Sequence, residues 1–406
     1  MLRLPKRRQN DPDAFHTFLH EAVRSPHLAR LPRGARTILH GGAAGSWYFE
    51  WFAEHYPTEV ERHIGVDAYA GPPDGLPANV QWIQSSLGDL SPVEDGSVDL
   101  VFAGQVLEHL WPDEVVGFLC ESHRVLAPGG TIALDSPNRI VTEALDWNHP
   151  EHTIEFSVPE ILELLALAGF GAATVRGLWV CYDSKRGRVL PLDALEDRGR
   201  WPKQRRLELA ETNPDDSFIW WVEAPREEVE PDRVALTRRI DELYRDYRRH
   251  RLGRFQHDVG SKRDGVFTAS KGSQGHLLFG PFVPMPPGKW RARFRVAAGP
   301  ARRRDRIEDD GILGWLNVVR AISILTGPEA EPVAERTLRA ADVPPDGRWL
   351  EVELPFELDQ TAFAVQFRAR TSGRTRLSVA FDGVVEVGPD VSDERALTAA
   401  SSASES

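Results

Sequence analysis

Up to about residue 225, short β-branched runs alternate with segments of helical periodicity, and from about residue 255 closely spaced period-two runs replace them. The first pattern is that of a parallel sheet buried under helices on both faces. The second, with Gly and Pro at its turns, is that of antiparallel sheets that each bury one face. A chain of 406 residues also exceeds what one hydrophobic core usually holds. Two domains of different class are therefore expected, an α/β domain followed by an all-β sandwich.

Strands are expected at about 36–41, 62–67, 80–84, 98–104 and 130–136, with helices between them. The segment SVPEILELLALAGF predicts a helix with a capping box from Ser157 to Glu160, Pro159 in its first turn and Gly169 at its end. ATVRGLWVCYD and DSFIWWVEAP supply late strands around a polar insertion at 184–216, which has the makings of a lid with one helix. Leu236, Ile240, Leu243 and Tyr247 recur at helical steps and predict a helix over 226–252. The expected division is 1–225 for the α/β domain, 226–254 for a linker helix, 255–390 for the sandwich and 391–406 for a disordered tail. Residues 299–314 interrupt the strand rhythm and predict a mobile loop.

Composition excludes several classes of function. A net charge of −12 argues against nucleic acid as ligand, since phosphate binding needs clustered cations, and Arg302–Arg304 read as a solvated loop. Two cysteines, Cys120 and Cys181, build neither a disulfide framework nor a cysteine metal site, which suits a reducing compartment. No apolar run reaches the roughly 20 residues of a membrane helix, and the basic start MLRLPKRRQN lacks the apolar core of a secretory signal. A cytoplasmic protein is expected.

In an open parallel sheet, ligands bind beyond the carboxyl ends of the strands. After the first strand comes HGGAAGSW, where Gly42, Ala44 and Ser46 let backbone approach a ligand closely. The second strand ends in GVDAY and places Asp67 about 20 residues beyond that turn, the spacing at which an acid accepts hydrogen bonds from a ribose. A carboxylate there suits a cationic ligand and repels a pyrophosphate.

From ILHGGAAGSW through GVDAY, WIQSSLGDLSPVEDGSVDLVFAGQVLEHL and RVLAPGGTIALDSPN, over roughly 36–170, the chain resembles the class I methyltransferase core. The resemblance implies a Rossmann-like sheet, mostly parallel with an antiparallel last strand, and S-adenosylmethionine as cofactor. It places Gly42, Ala44 and Ser46 at the methionine part of that cofactor and Asp67 at the ribose. Ser86 and Leu87 fall at the adenine, and Gln105 faces the reaction centre. His40 stands where the family has an acid, Ala44 and Ser46 where it has glycines, and Ser86 where it has Asp. A cofactor-binding protein without turnover is the alternative these departures leave open.

A hydroxyl acceptor must lose a proton, and His109, His149 and His152 follow the fourth and fifth strands, histidine being the residue type most often used as a general base near neutral pH. Glu108, His109, His149, His152 and Glu155 could together hold a divalent cation, but they match no strong metal signature and no metal is expected. WNHPEHTIEFSVPEILELLALAGF and GSQGHLLFGPFVPMPPGKWRARFRV resemble methyltransferases of bacterial surface-glycan pathways, whose sandwich modules are jelly-roll-like. The implied acceptor is a saccharide, with a small metabolite or a lipid-linked molecule as the enzymatic alternative and a glycan-binding scaffold as the non-enzymatic one. The sandwich would bind sugar or mediate assembly into a homo-oligomer.

Overall fold

The computed structural model describes residues 15, 17–43, 45–193, 195, 201–299, 311–321, 330–387 and 396–397. Ala44, the Arg302–Arg304 run, residues 300–310 of the expected loop, part of the 184–216 insertion and all of the tail except Ala396–Leu397 lie outside them. The chain divides into two compact units. The first comprises the described residues up to Asn148 together with Ile154–Glu242, and the second comprises His149–Thr153 and the described residues from Leu243 onward.

The first unit is built on a seven-stranded sheet. Its strands are β1 Thr37–Gly41, β2 Arg62–Asp67, β3 Val80–Gln84, β4 Val98–Gly104, β5 Leu126–Pro137, β6 Thr174–Gly177 and β9 Ile219–Pro225, in the order β3-β2-β1-β4-β5-β9-β6. Between the last two in sequence lies a small hairpin of β7 Tyr182–Asp183 and β8 Arg188–Val189. β1 to β5 pair in parallel, and β9 runs antiparallel to both of its neighbours. This is the Rossmann-like methyltransferase sheet with an antiparallel late strand. The order reverses between β1 and β4, so the loops after these two strands flank the crevice where ligands bind in such sheets.

Local chemistry explains the register. Asp99, the acid that opens β4, accepts hydrogen bonds from the backbone N–H groups of Arg36 and Thr37 at 2.8 and 2.9 Å and so aligns β4 with the start of β1. The helix Val158–Leu167 forms on its capping box, with the Ser157 N–H donating to Glu160 at 2.7 Å, and stops at Gly169 with φ +80°. β5 begins at Leu126, four residues before the expected start, because left-handed Gly129 lets the Pro-Gly-Gly turn pair with β4 through a bulge. The helix expected from 226 begins at Arg233. Pro231 precedes it, and Asp232 caps it by accepting from the Ala235 N–H at 2.9 Å.

ATVRGLWVCYD is a strand only over Thr174–Gly177. Beyond it Trp179 is fully buried and donates to the Leu192 carbonyl, which draws the chain into the insertion. A helix at Lys203–Ala210 follows, pinned by the buried guanidinium of Arg206. That group donates to the carbonyls of Val180 and Pro191 and lies 3.1 Å from Cys181 Sγ. Because β6 runs parallel to β5, the insertion leaves the sheet at its ligand end, where Leu178, Trp179 and Cys181 share a core with Phe18 and Leu28 of the N-terminal helical segment.

The second unit is a β-sandwich. One sheet orders β10 Ser261–Arg263, β11 Val266–Ala269, β19 Leu377–Glu386, β14 Gly288–Ala298 and β17 Leu350–Leu358, with β20 Ala396–Leu397 on β19. The other orders β12 Gly275–Leu278, β18 Ala362–Thr371, β15 Ile312–Ala321 and β16 Ala330–Arg339, with β13 Pro281–Met285 on β18. All pairings are antiparallel. Trp290, Phe294 and Phe367 fill the core as the alternation predicts, and Phe367 stacks on Phe381 across the two sheets at 4.7 Å. Arg251 holds His149–Thr153 to this unit, donating to the carbonyls of His149 and His152 at 2.8 and 2.7 Å and to that of Phe282 at 3.0 Å.

Candidate active site

β1 delivers the chain into a turn that only glycine can make. Gly42 has φ +68°, its N–H donates to the Val66 carbonyl at 2.8 Å, and a Cβ there would lie 2.4 Å from Val106 Cγ2. Ser46 precedes the helix Trp47–His55 without capping it through its side chain. At the end of β2, Asp67 Oδ1 accepts from the N–H groups of Tyr69 and Ala70 at 2.8 and 2.7 Å. These bonds fix the carboxylate at the sheet end through one of its two oxygens. Ser86 is half-buried, with its hydroxyl bound to Glu114 at 2.8 Å, while Leu87 is buried against Gly41. The position where the family has Asp thus carries a hydroxyl committed to the helix Pro112–Val125.

His40 does not replace the missing acid. Its ring is fully buried, neither nitrogen has a hydrogen-bond partner among the described residues, and Tyr48, Phe49, Phe52, Phe102 and His63 surround it. Burial, then repulsion by His63, holds it well below the ordinary histidine range. It is a neutral core residue.

After β4 and β5 lies a buried polar network that the sequence did not announce. Asp135, fully buried in β5, accepts from Arg24 Nε and Nη2 at 3.1 and 3.0 Å through Oδ2, and from Gln105 Nε2 at 2.7 Å through Oδ1. Arg24 reaches it from the N-terminal helical segment Phe18–Leu28, over 111 residues of sequence. Next to this network, burial pushes the Glu108 carboxyl up to about 8, with Asp135 and Glu155 adding negative charge. Glu155 in turn receives the Thr142 hydroxyl.

His109 is exposed on the single 3₁₀ turn Leu107–His109 directly after β4. His149 and His152 belong to the second unit, where their rings lie 4.4 Å apart and His152 is buried. The first unit therefore gathers Gly42, Ser46, Asp67, Ser86, Leu87, Gln105 and His109 at the carboxyl ends of its strands, and Arg24, Glu108 and Asp135 join them there. Asp135 stands in the quoted motif ALDSPN, so its position at a strand end was visible in the sequence. Arg24 carried no signal.

Part of the first unit matches known proteins. Residues 39–134 match a family model described as a methyltransferase domain. A Mycolicibacterium smegmatis protein named a probable S-adenosylmethionine-dependent methyltransferase is 33% identical over 164 residues, which are 39% of this chain and 61% of that protein. A Mycobacterium tuberculosis protein of the same description is 38% identical over 102 residues, 25% of this chain and 36% of its own length. The chain thus spans about three fifths of one curated relative and just over a third of the other. A solved S-adenosylmethionine-dependent methyltransferase from Archaeoglobus fulgidus aligns over 53% of this chain and all of its own, at 18% identity and a TM-score of 0.36. Residues 39–134 of the first unit thus carry a methyltransferase domain, and S-adenosylmethionine is the cofactor its named relatives depend on.

The residues fit that cofactor: a glycine turn without bulk and, across from it at the end of β2, a carboxylate engaged by backbone through only one of its oxygens. Asp67→Ala removes charge-assisted hydrogen bonds of about 1.5–3 kcal/mol and is expected to weaken binding of S-adenosylhomocysteine roughly 10- to 100-fold. Calorimetry on both folded proteins measures it, and equal affinities would remove Asp67 from the site.

Proposed function

We infer that the protein transfers a methyl group from S-adenosylmethionine to a hydroxyl of a saccharide or sugar-linked acceptor. The observation that carries the transfer is Asp67 at the end of β2, its carboxylate oriented by two backbone N–H groups beside the left-handed Gly42 turn, within the matched domain. When bound, the cofactor supplies an electrophilic methyl group on a sulfonium. What the chain adds is alignment, holding nucleophile and methyl at about 3–3.5 Å, together with a place for the hydroxyl proton.

The saccharide reading draws its support from the second unit. On the sheet β12-β18-β15-β16, Leu316 and Val318 point into the core, while Trp315, Asn317, Arg368 and Arg370 alternate with buried neighbours on the opposite face. Trp315 pairs with Arg370 and Asn317 with Arg368 across β15 and β18, and the Arg370 guanidinium lies 5.9 Å from the Trp315 ring centre. An aromatic ring beside amide and guanidinium donors is the combination that stacks on a sugar ring and binds its hydroxyls.

At least one of His109, His149 and His152 is expected to be needed for turnover and not for cofactor binding. A positioned base contributes about 10²- to 10⁴-fold, so the right single Ala variant loses rate in that range at unchanged affinity for S-adenosylhomocysteine. The check is label transfer from methyl-labelled cofactor into a bacterial saccharide extract. Wild-type rates in all three variants would move the base elsewhere.

A further inference from the structure

Gln105 leaves β4 at φ +60°, a left-handed conformation that few residues other than glycine adopt, and the Asp135 carbonyl holds it there through the Gln105 N–H at 2.8 Å. Its side chain is held as firmly, with Nε2 2.7 Å from Asp135 Oδ1. An amide can present either its NH₂ or its carbonyl oxygen, and here the partner decides which. A carboxylate only accepts, so Gln105 must turn its NH₂ toward Asp135. The other oxygen of Asp135 is occupied by the buried Arg24 guanidinium. The half-buried Gln105 then has its Oε1 left over, and no described residue donates to it.

The geometry is built for this relay. A Cβ on Gly104 would lie 2.1 Å from Arg24 Nη2 and 2.5 Å from Asp135 Oδ2, so only glycine lets the guanidinium pass beneath the end of β4. The next residue, Val106, packs on Gly42 of the cofactor turn, so Gln105 sits one residue from the wall of the cofactor site.

We propose that Gln105 reads the methyl acceptor through its carbonyl oxygen, and that Arg24, acting through Asp135, is the positioning residue that fixes this polarity. The inference rests on the reading that the domain transfers methyl groups. It specifies the acceptor as one whose reacting group carries a hydrogen to donate, a hydroxyl or an N–H, and it assigns Gln105 to alignment, since an amide takes no proton at neutral pH. An acceptor without such a hydrogen would meet an acceptor atom facing an acceptor atom.

The relay can be inverted with isosteric substitutions. In Asp135→Asn, Arg24 can only donate and so keeps the oxygen of the introduced amide. The NH₂ of that amide then faces Gln105, which must flip and offer its own NH₂ to the acceptor. The double variant Asp135→Asn/Gln105→Glu places a carboxylate where the flipped amide stood, accepting from the introduced NH₂ and offering an oxygen outward again.

With methyl-labelled S-adenosylmethionine and a bacterial saccharide extract as probe, D135N is expected to raise the half-saturating extract concentration by about 10- to 100-fold. Affinity for S-adenosylhomocysteine by calorimetry should not change, and the double variant should recover most of the loss. In isotope-labelled protein without ligand, the Gln105 side-chain NH₂ resonances should move in D135N, as a donor to a carboxylate becomes a donor to solvent. If D135N does not fold, Gln105→Met, which keeps the length and loses both polar atoms, carries the same expected loss. Unchanged half-saturation in D135N or Q105M, or a double variant no better than D135N, would overturn the proposal. Wild-type protein that binds the cofactor product yet transfers no label would remove the reading beneath it and the proposal with it.

Discussion

Glu108→Gln is expected to stabilise the protein by on the order of 4–5 kcal/mol at pH 8 and by almost nothing at pH 4.5. The Glu108 carboxyl is fully buried and held up to about 8 from an ordinary 4.5, first by burial and then by the negative charge of Asp135 and Glu155. A tenfold change in proton affinity corresponds to about 1.36 kcal/mol, which gives the size of the effect. The sign follows from where the protons are. Below about 4.5 the carboxyl is protonated whether the chain is folded or unfolded, and folding costs nothing at this group. Between about 4.5 and about 8 the unfolded chain releases the proton while the folded one keeps it, so stability falls as pH rises and levels off once both states are ionised. An amide has no proton to release, so Gln abolishes the slope. Urea unfolding of both proteins from pH 4.5 to 8.5 measures the difference curve. A flat difference would show that Glu108 is ionised in the folded protein throughout.

Arg24→Met should cost about 3–5 kcal/mol, because it leaves the Asp135 carboxylate buried without its cation. The loss is larger than that of an ordinary surface ion pair because both partners are out of water and the guanidinium donates twice to one oxygen. The same substitution releases the N-terminal segment, whose Trp51–Ser25 hydrogen bond and Arg24–Trp51 stacking depend on that placement. Adding Asp135→Leu to Arg24→Met should return much of the stability by removing the stranded charge, at the expense of the Gln105 tether. A destabilisation below about 1 kcal/mol for Arg24→Met would mean that the ion pair contributes no more than a surface contact.

Most of the first unit was legible because its signals are local. β1 to β4 fall within a residue of their expected limits, since β-branched runs between turn residues fix strands where they stand. The Ser157–Glu160 capping box and the place of Asp67 at the end of β2 were legible for the same reason, as both depend on short spacings. Where propensity misled, a local competitor won: Pro231 with the Asp232 cap delayed the long helix, and Trp179 drew the end of ATVRGLWVCYD into the insertion. The Arg24–Asp135–Gln105 network was not legible, because its partners come from three distant segments and an arginine in a helical segment looks the same whether it is solvated or buried. Nor did any motif mark His149–Thr153 as part of the second unit, an allegiance set by Arg251 some hundred residues away. The resemblance put His40 where the family has an acid, and its burial among rings is a tertiary fact that no local pattern carries.

Among the described residues no helix is long and apolar enough to cross a membrane, and the candidate site residues of the first unit gather at the carboxyl ends of its strands. The most direct test of methyl transfer there is to incubate the full-length protein with methyl-labelled S-adenosylmethionine and a fractionated bacterial extract, then follow the label. Label is expected in the saccharide fraction as a methyl ether stable to mild base, dependent on Asp67. A folded protein that binds S-adenosylhomocysteine but labels no fraction would contradict the transfer itself, and label confined to other fractions would contradict the saccharide acceptor.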